Sequence, residues 1–296
     1  MLRKLRYPLV FVAGILAAAG LFLLFQLLRP PMQLQGKEIG GYILANQEWS
    51  GTITVVQDTT FVPWVKLTIK PGTRVRFEKK PDGELTDWTE FADQYIKEHN
   101  DPTGRTGYNA THFMLVAKMV AVGTKDRPIL FTSAQASPDY ADWDQLVLLQ
   151  GSRLENVEVE YAHNGVNIDG DNVAVRNSKI HDSLWSCIDI FSVENIIESN
   201  EVYHCWHQAI GVKVKGKNLL TKNDVHDAQL GVNCEFGADP EIRANRFAAA
   251  PINPECPPGE NKIVERPPDS PGGTYGGKLI YPSLIAGSEH NADESE

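Results

Sequence analysis

Between Arg153 and Phe247 the chain repeats itself about every 22 residues. Val166-Asn167-Ile168, Ile188-Asp189-Ile190, Ile210-Gly211-Val212 and Val232-Asn233-Cys234 begin 22 residues apart. A second column, Val159, Ile180, Val202, Val225 and Phe247, is spaced by 21 to 23 residues. A third sets Asn before an aliphatic residue, at Asn172-Val173, Asn195-Ile196 and Asn218-Leu219. Each period therefore holds three short alternating strands separated by turns. One such row cannot bury its inward side chains alone. Stacked about 4.8 Å apart, rows pair every strand above and below and enclose one apolar column. Asn at the turns tolerates left-handed backbone and can hydrogen-bond its copy in the next row. The expectation is an all-β solenoid.

The flanking rows carry a resemblance. LTIKPGTRVRF (Leu67–Phe77), GTKDRPILFTS (Gly123–Ser133) and DWDQLVLL (Asp142–Leu149), with the repeats that follow, resemble the right-handed parallel β-helix of the pectin-lyase-like superfamily. The likeness covers Trp49 to Phe247 and implies roughly seven or eight coils over residues 49–249, at about 22 residues each. It implies a fold, not an activity, because the superfamily hosts lyases, hydrolases, epimerases, phage adhesins and non-catalytic modules.

The N-terminus obeys a different rule. Arg3, Lys4 and Arg6 precede an uncharged apolar run from Leu9 to Leu28, long enough as a helix to span a bilayer core. A cleaved signal peptide would have a shorter apolar region followed by small residues, whereas here AAAG lies mid-run. Residues 1–30 are expected to form a basic cytoplasmic stub and a transmembrane anchor, N-terminus inside, with the bulk of the chain periplasmic or extracellular. Ala13, Gly14, Ala17 and Ala18 form a small-residue patch suited to close packing against a partner helix. Residues 31–48 read as a linker. The segment 78–112 reads as a short helical insertion, with Asp87 and Glu90 in capping-box positions. Residues 250–296 read as a Pro/Gly-rich tail whose first part closes the last coil.

A net charge of −10 without a basic stripe excludes nucleic acid as a partner. The expected partners are the bilayer, a membrane protein reached through the anchor and the tail, and a glycan if the solenoid is catalytic. Cys187, Cys205, Cys234 and Cys256 match no zinc pattern, and outside the cytoplasm they are free to form disulfides. No cofactor-binding motif is present.

Chemistry concentrates near NEVYHCWHQAIGV, Asn200–Val212. His163, Trp185, His207 and Gln229 each stand three residues before the first column; Asp182, His204 and Asp227 align in another turn column. His181 and His226 align one position earlier, with Tyr203 between them. The histidines thus decorate turns. A second reading is a metal site at His204, Asp182 and Asp227, with His181 or His226. A glycan-active site would place Asp189 as acid and Lys213 as neutralising cation, with His207 and His163 lining the groove. The signatures of polygalacturonases and mannuronan epimerases are absent, and no Arg stands where related pectate lyases use one as base. The leading expectation is a non-catalytic, membrane-anchored scaffold or accessory subunit. The alternatives are a tethered polysaccharide lyase, epimerase or hydrolase, and a metal-handling accessory protein like the β-helix proteins of copper-enzyme maturation.

Overall fold

A computed structural model describes residues 31–79 and 113–264, together with two short paired strands at 274–275 and 278–279. Every strand from Met32 to Val264 joins one 20-stranded sheet in which all pairings are parallel. The strands pair one row with the next, as a solenoid requires. Leu34, Trp49, Ile69, Ala121, Leu154, Val175, Ile197, Leu220 and Ile242 stand directly above one another, all buried, and mark nine coils. We call this ladder face A. Face B follows in each coil and carries Ile53, Val75, Phe131, Val159, Ile180, Val202, Val225 and Phe247. Face C closes the coil with Leu115, Leu146, Val166, Ile188, Ile210, Val232 and Ile252.

The first two sequence columns are thus faces C and B, in the expected register. The third is displaced by one residue. Ala174 pairs Ile196 and Ile196 pairs Leu219, so Asn195 and Asn218 stack but Asn172 falls one position short. Asn195 and Asn218 turn their own side chains inward, so Ile196 and Leu219 must point outward; Ile197 and Leu220 fill the core instead. Asn172 is a left-handed turn residue, φ 58°.

A second Asn ladder stands at the A–B corner. The Asn223 side-chain NH2 donates to Asn245 Oδ1 and to the Ile197 carbonyl, both at 2.9 Å, while its Oδ1 accepts from Asn200 N and Nδ2 at 3.0 Å. The ladder continues from Asn245 to Asn261. Asn200, Asn223 and Asn245 each follow a left-handed residue: Ser199, Lys222 and Ala244.

Two boundaries differ from expectation. Residues 31–48 are not a linker: Met32–Ile43 forms the first coil's strand and pairs with Gln47–Phe61. The row is only 15 residues long, Leu34 to Trp49, which hides it from a 22-residue template. The described residues therefore hold eight coils from Trp49 to Ile242, within the expected seven or eight, and one more before them. The β-helix also runs past 249. Ile252 bridges Val232, and Lys262–Val264 adds a further rung beyond Phe247 on face B, so the first part of the Pro-rich segment caps the last coil. Prolines fit there because a terminal rung need not donate upward. The expected anchor at 1–30, most of the 78–112 insertion and most of the tail lie outside the described residues. Among the described residues no helix is long and apolar enough to cross a membrane.

The cysteines pair as Cys187–Cys205 and Cys234–Cys256. The first crosses the B–C corner between neighbouring coils, and the second ties the cap to face C. Cys205, adjacent to the turn histidines, is committed to a disulfide rather than merely packed.

Candidate functional site

Polar chemistry gathers on both sides of the B–C corner in the coils around residues 158–235. At this corner Tyr140, Ala141, Leu184 and Trp206 form a small apolar cluster of their own, with Trp185 against it. Face C's outward residues lie on one side and face B's on the other.

On face C, Asn167, Asp189, Gly211 and Asn233 pair in register, as the repeat predicts. Gly211 leaves room for a side chain to cross: a Cβ there would lie 2.2 Å from Gln208 Nε2 and 2.3 Å from Asp189 Oδ1. Gln208 uses that room. Its Nε2 donates to Asp189 Oδ1 at 2.8 Å, and its Oε1 accepts from Asn233 Nδ2 at 2.8 Å. Asn253 Nδ2 donates to Asn233 Oδ1. Lys213 Nζ lies 3.9 Å from Asp189 and is ion-paired more closely with Glu235. The expected acid and neutraliser are therefore together, but the Asp189 side chain is only 5 % exposed. Burial pushes the Asp189 carboxyl up to about 6, against the pull of Lys213. His207 packs against the Trp185 ring at 4.1 Å, and His163 Nδ1 lies 3.8 Å from Asp144. Burial lowers the His163 imidazole to about 4. The four residues expected to line one groove thus form an Asp189–Lys213 pair and two histidines held by corner contacts of their own.

These shifts set a measurable pH dependence. Asp189 titrates above its unfolded value, so the stability it contributes is fullest below about pH 4 and falls as pH rises towards 6. His163 titrates below its unfolded value, so its contribution is full above about 6.5 and is lost as pH falls towards 4. The two oppose each other in one window, at about 3 kcal/mol each. Asp189→Asn should therefore gain most over wild type at neutral pH and lose that advantage by pH 4. Urea unfolding of both proteins from pH 4 to 7.5 checks this; a pH-independent difference would show that folding does not shift the Asp189 carboxyl.

On face B the aligned His181, Tyr203 and His226 form a stack, with centroids 4.7 and 4.8 Å apart and planes within 6°. His181 is the buried member. Its Nδ1–H donates to Asp182 Oδ2 at 2.8 Å, and its Nε2 faces Glu158 Oε1 at 3.2 Å and Glu160 Oε2 at 3.8 Å. Burial works against its charge, yet the Asp182 and Glu158 carboxylates hold its pKa up at about 9. Asp182 also accepts from the Tyr140 hydroxyl and from His204 Nδ1, both at 3.0 Å. Burial opposes ionisation of Asp182 too, but His181 and His204 hold it well below the usual range. The His181 contact lowers Glu158, while burial raises Glu160 despite a 2.7 Å hydrogen bond from Thr132.

Of the residues expected to bind metal, His204 and Asp182 are in contact, but Asp227 pairs with His226 at 2.9 Å instead. All three are left-handed corner residues, φ 50–51°. Among the described residues the convergent set is Glu158, Glu160 and His181, whose ligand-type atoms lie within 4.8 Å of one another. Sequence reasoning missed the glutamates because VEVE reads as ordinary strand alternation. The signal was the register, since Glu160, His181, Tyr203 and His226 occupy one outward column.

Residues 144–253 match a family model described as a right handed beta helix region. That match and the parallel ladders support a right-handed β-helix repeat fold. Comparison with curated proteins and with solved structures found no match.

Proposed function

We propose that this chain is a membrane-tethered, extracytoplasmic and non-catalytic β-helix scaffold that docks on a membrane protein. One observation carries the reading. The solenoid starts at Met32, four residues after the apolar run ends at Leu28, and its first two coils expose Met32, Tyr42, Leu44 and Trp64. Tyr42 is 80 % exposed and Trp64 57 %, on coils that a spanning run would hold against the membrane surface. Apolar and aromatic side chains there suit a partner's flank at the interface. The disulfides support an oxidising compartment. The small-residue patch at Gly14, Ala17 and Ala18 would pack against the partner's helix.

Asp189 weighs on the glycan-active alternative. A general acid must reach its substrate's oxygen within hydrogen-bond distance, and this carboxyl lies under Gln208 with its Oδ1 already bonded.

Purification in mild detergent tests the scaffold. We expect an integral membrane protein at stoichiometric ratio, released by Trp64→Glu and by deletion of residues 1–30. A chain that runs alone at monomer mass, together with polysaccharide turnover abolished by Asp189→Asn, would replace the scaffold with the enzyme.

A further inference from the structure

The face B cluster is built like a metal site, independently of the scaffold reading. Ligands at about 2.0–2.2 Å around a tetrahedral ion stand about 3.4 Å from one another. His181 Nε2 lies 3.2 Å from Glu158 Oε1 and 3.8 Å from Glu160 Oε2, which brackets that spacing. The atoms that would not touch the ion are already held. Thr132 donates to the other Glu160 oxygen, and Asp182 accepts from His181 Nδ1. A carboxylate on the far nitrogen of a ligating imidazole fixes its tautomer and raises its basicity. Tyr140 and His204 anchor Asp182 in turn, and the Tyr203 ring fixes the imidazole plane. The His181 side chain is 7 % exposed and Glu158 35 %, so the cluster is anchored at its floor and open on the Glu158 side.

We propose that Glu158, Glu160 and His181 bind a divalent first-row transition ion of the zinc class. One nitrogen and two carboxylates suit such an ion; calcium takes six to eight oxygens. Three protein ligands leave a fourth position on the solvent side, which makes the ion exchangeable rather than sealed. Asp182 is a positioning residue, and His204 acts only through it.

The full chain, purified in mild detergent without a metal-affinity tag and stripped with chelator, is titrated with ZnCl2 by calorimetry. CoCl2 followed by visible absorption reports the geometry. One equivalent should bind, with tetrahedral cobalt bands and release of the His181 Nε2 proton to the buffer. Asp182→Asn should weaken zinc about 10- to 100-fold, and Glu158→Gln and Glu160→Gln, which remove ligands themselves, each by at least the upper end of that range. His204→Ala should change affinity only a few-fold. Glu158 is partly exposed to solvent, so Glu158→Gln should fold normally, and melting in chelator checks each variant. The proposal is overturned if wild type shows no saturable zinc, if Glu158→Gln binds like wild type, or if His204→Ala abolishes binding while Glu158→Gln retains it.

Discussion

Replacing all four cysteines by Ser is expected to lower the unfolding free energy by about 6 kcal/mol. The two loops are independent along the chain and close 18 and 22 residues, and each contributes about 3 kcal/mol by chain-entropy arguments. Domains are commonly stable by only about 5–15 kcal/mol, so the loss is a large fraction of the total. Urea midpoints of the oxidised protein, the dithiothreitol-reduced protein and the four-Ser variant measure it. Reduced wild type and the variant should coincide. A reduced protein as stable as the oxidised one would show that the staples are redundant. It would also remove one support for an extracytoplasmic location, because a chain that loses this much on reduction is poorly suited to a reducing compartment.

How much of this was legible follows from where the repeat is regular. From Leu154 to Ile242 successive rungs of face A are 21 to 23 residues apart, and there the aliphatic columns alone place residues above one another. Ile69 and Ala121 are adjacent rungs separated by 52 residues, and no spacing rule reveals them. The first coil, MQLQGKEIGGYI, is hidden by its short row and its exposed polar residues. The Cys234–Cys256 pair lies one period apart and was within reach of the same register; Cys187–Cys205 cuts across a corner and was not. The outward residues of face C could be named because alternation fixes direction. That Gln208 would fold over Gly211 and cover Asp189 depends on side-chain conformation, which periodicity does not carry. For the same reason the histidine columns were found, while the glutamates converging on His181 Nε2 were not.

Asn223→Leu is expected to cost about 4 kcal/mol, although it adds apolar volume at a buried site. In a solenoid each rung contacts only its neighbours, so the lost interactions all lie at one interface. The Asn223 side chain gives two hydrogens and receives two, and Leu replaces none of them. The Asn200 N–H, one Asn200 amide hydrogen and the Ile197 carbonyl lose these partners within the protein. Each orphaned buried group costs about 1–3 kcal/mol, and burying the Leu side chain offsets only part of the sum. Asn223→Asp would keep the acceptor but lose the donors, at the added cost of a buried charge. Because the damage is local, hydrogen exchange should speed most at Asn200, Asn223, Asn245 and the amides between them. The first coils, around Trp49 and Ile69, should keep their protection. Uniform acceleration from Trp49 to Phe247 would mean that the nine coils unfold as one unit. Confined acceleration would mean that the later coils can loosen while the first coils stay folded.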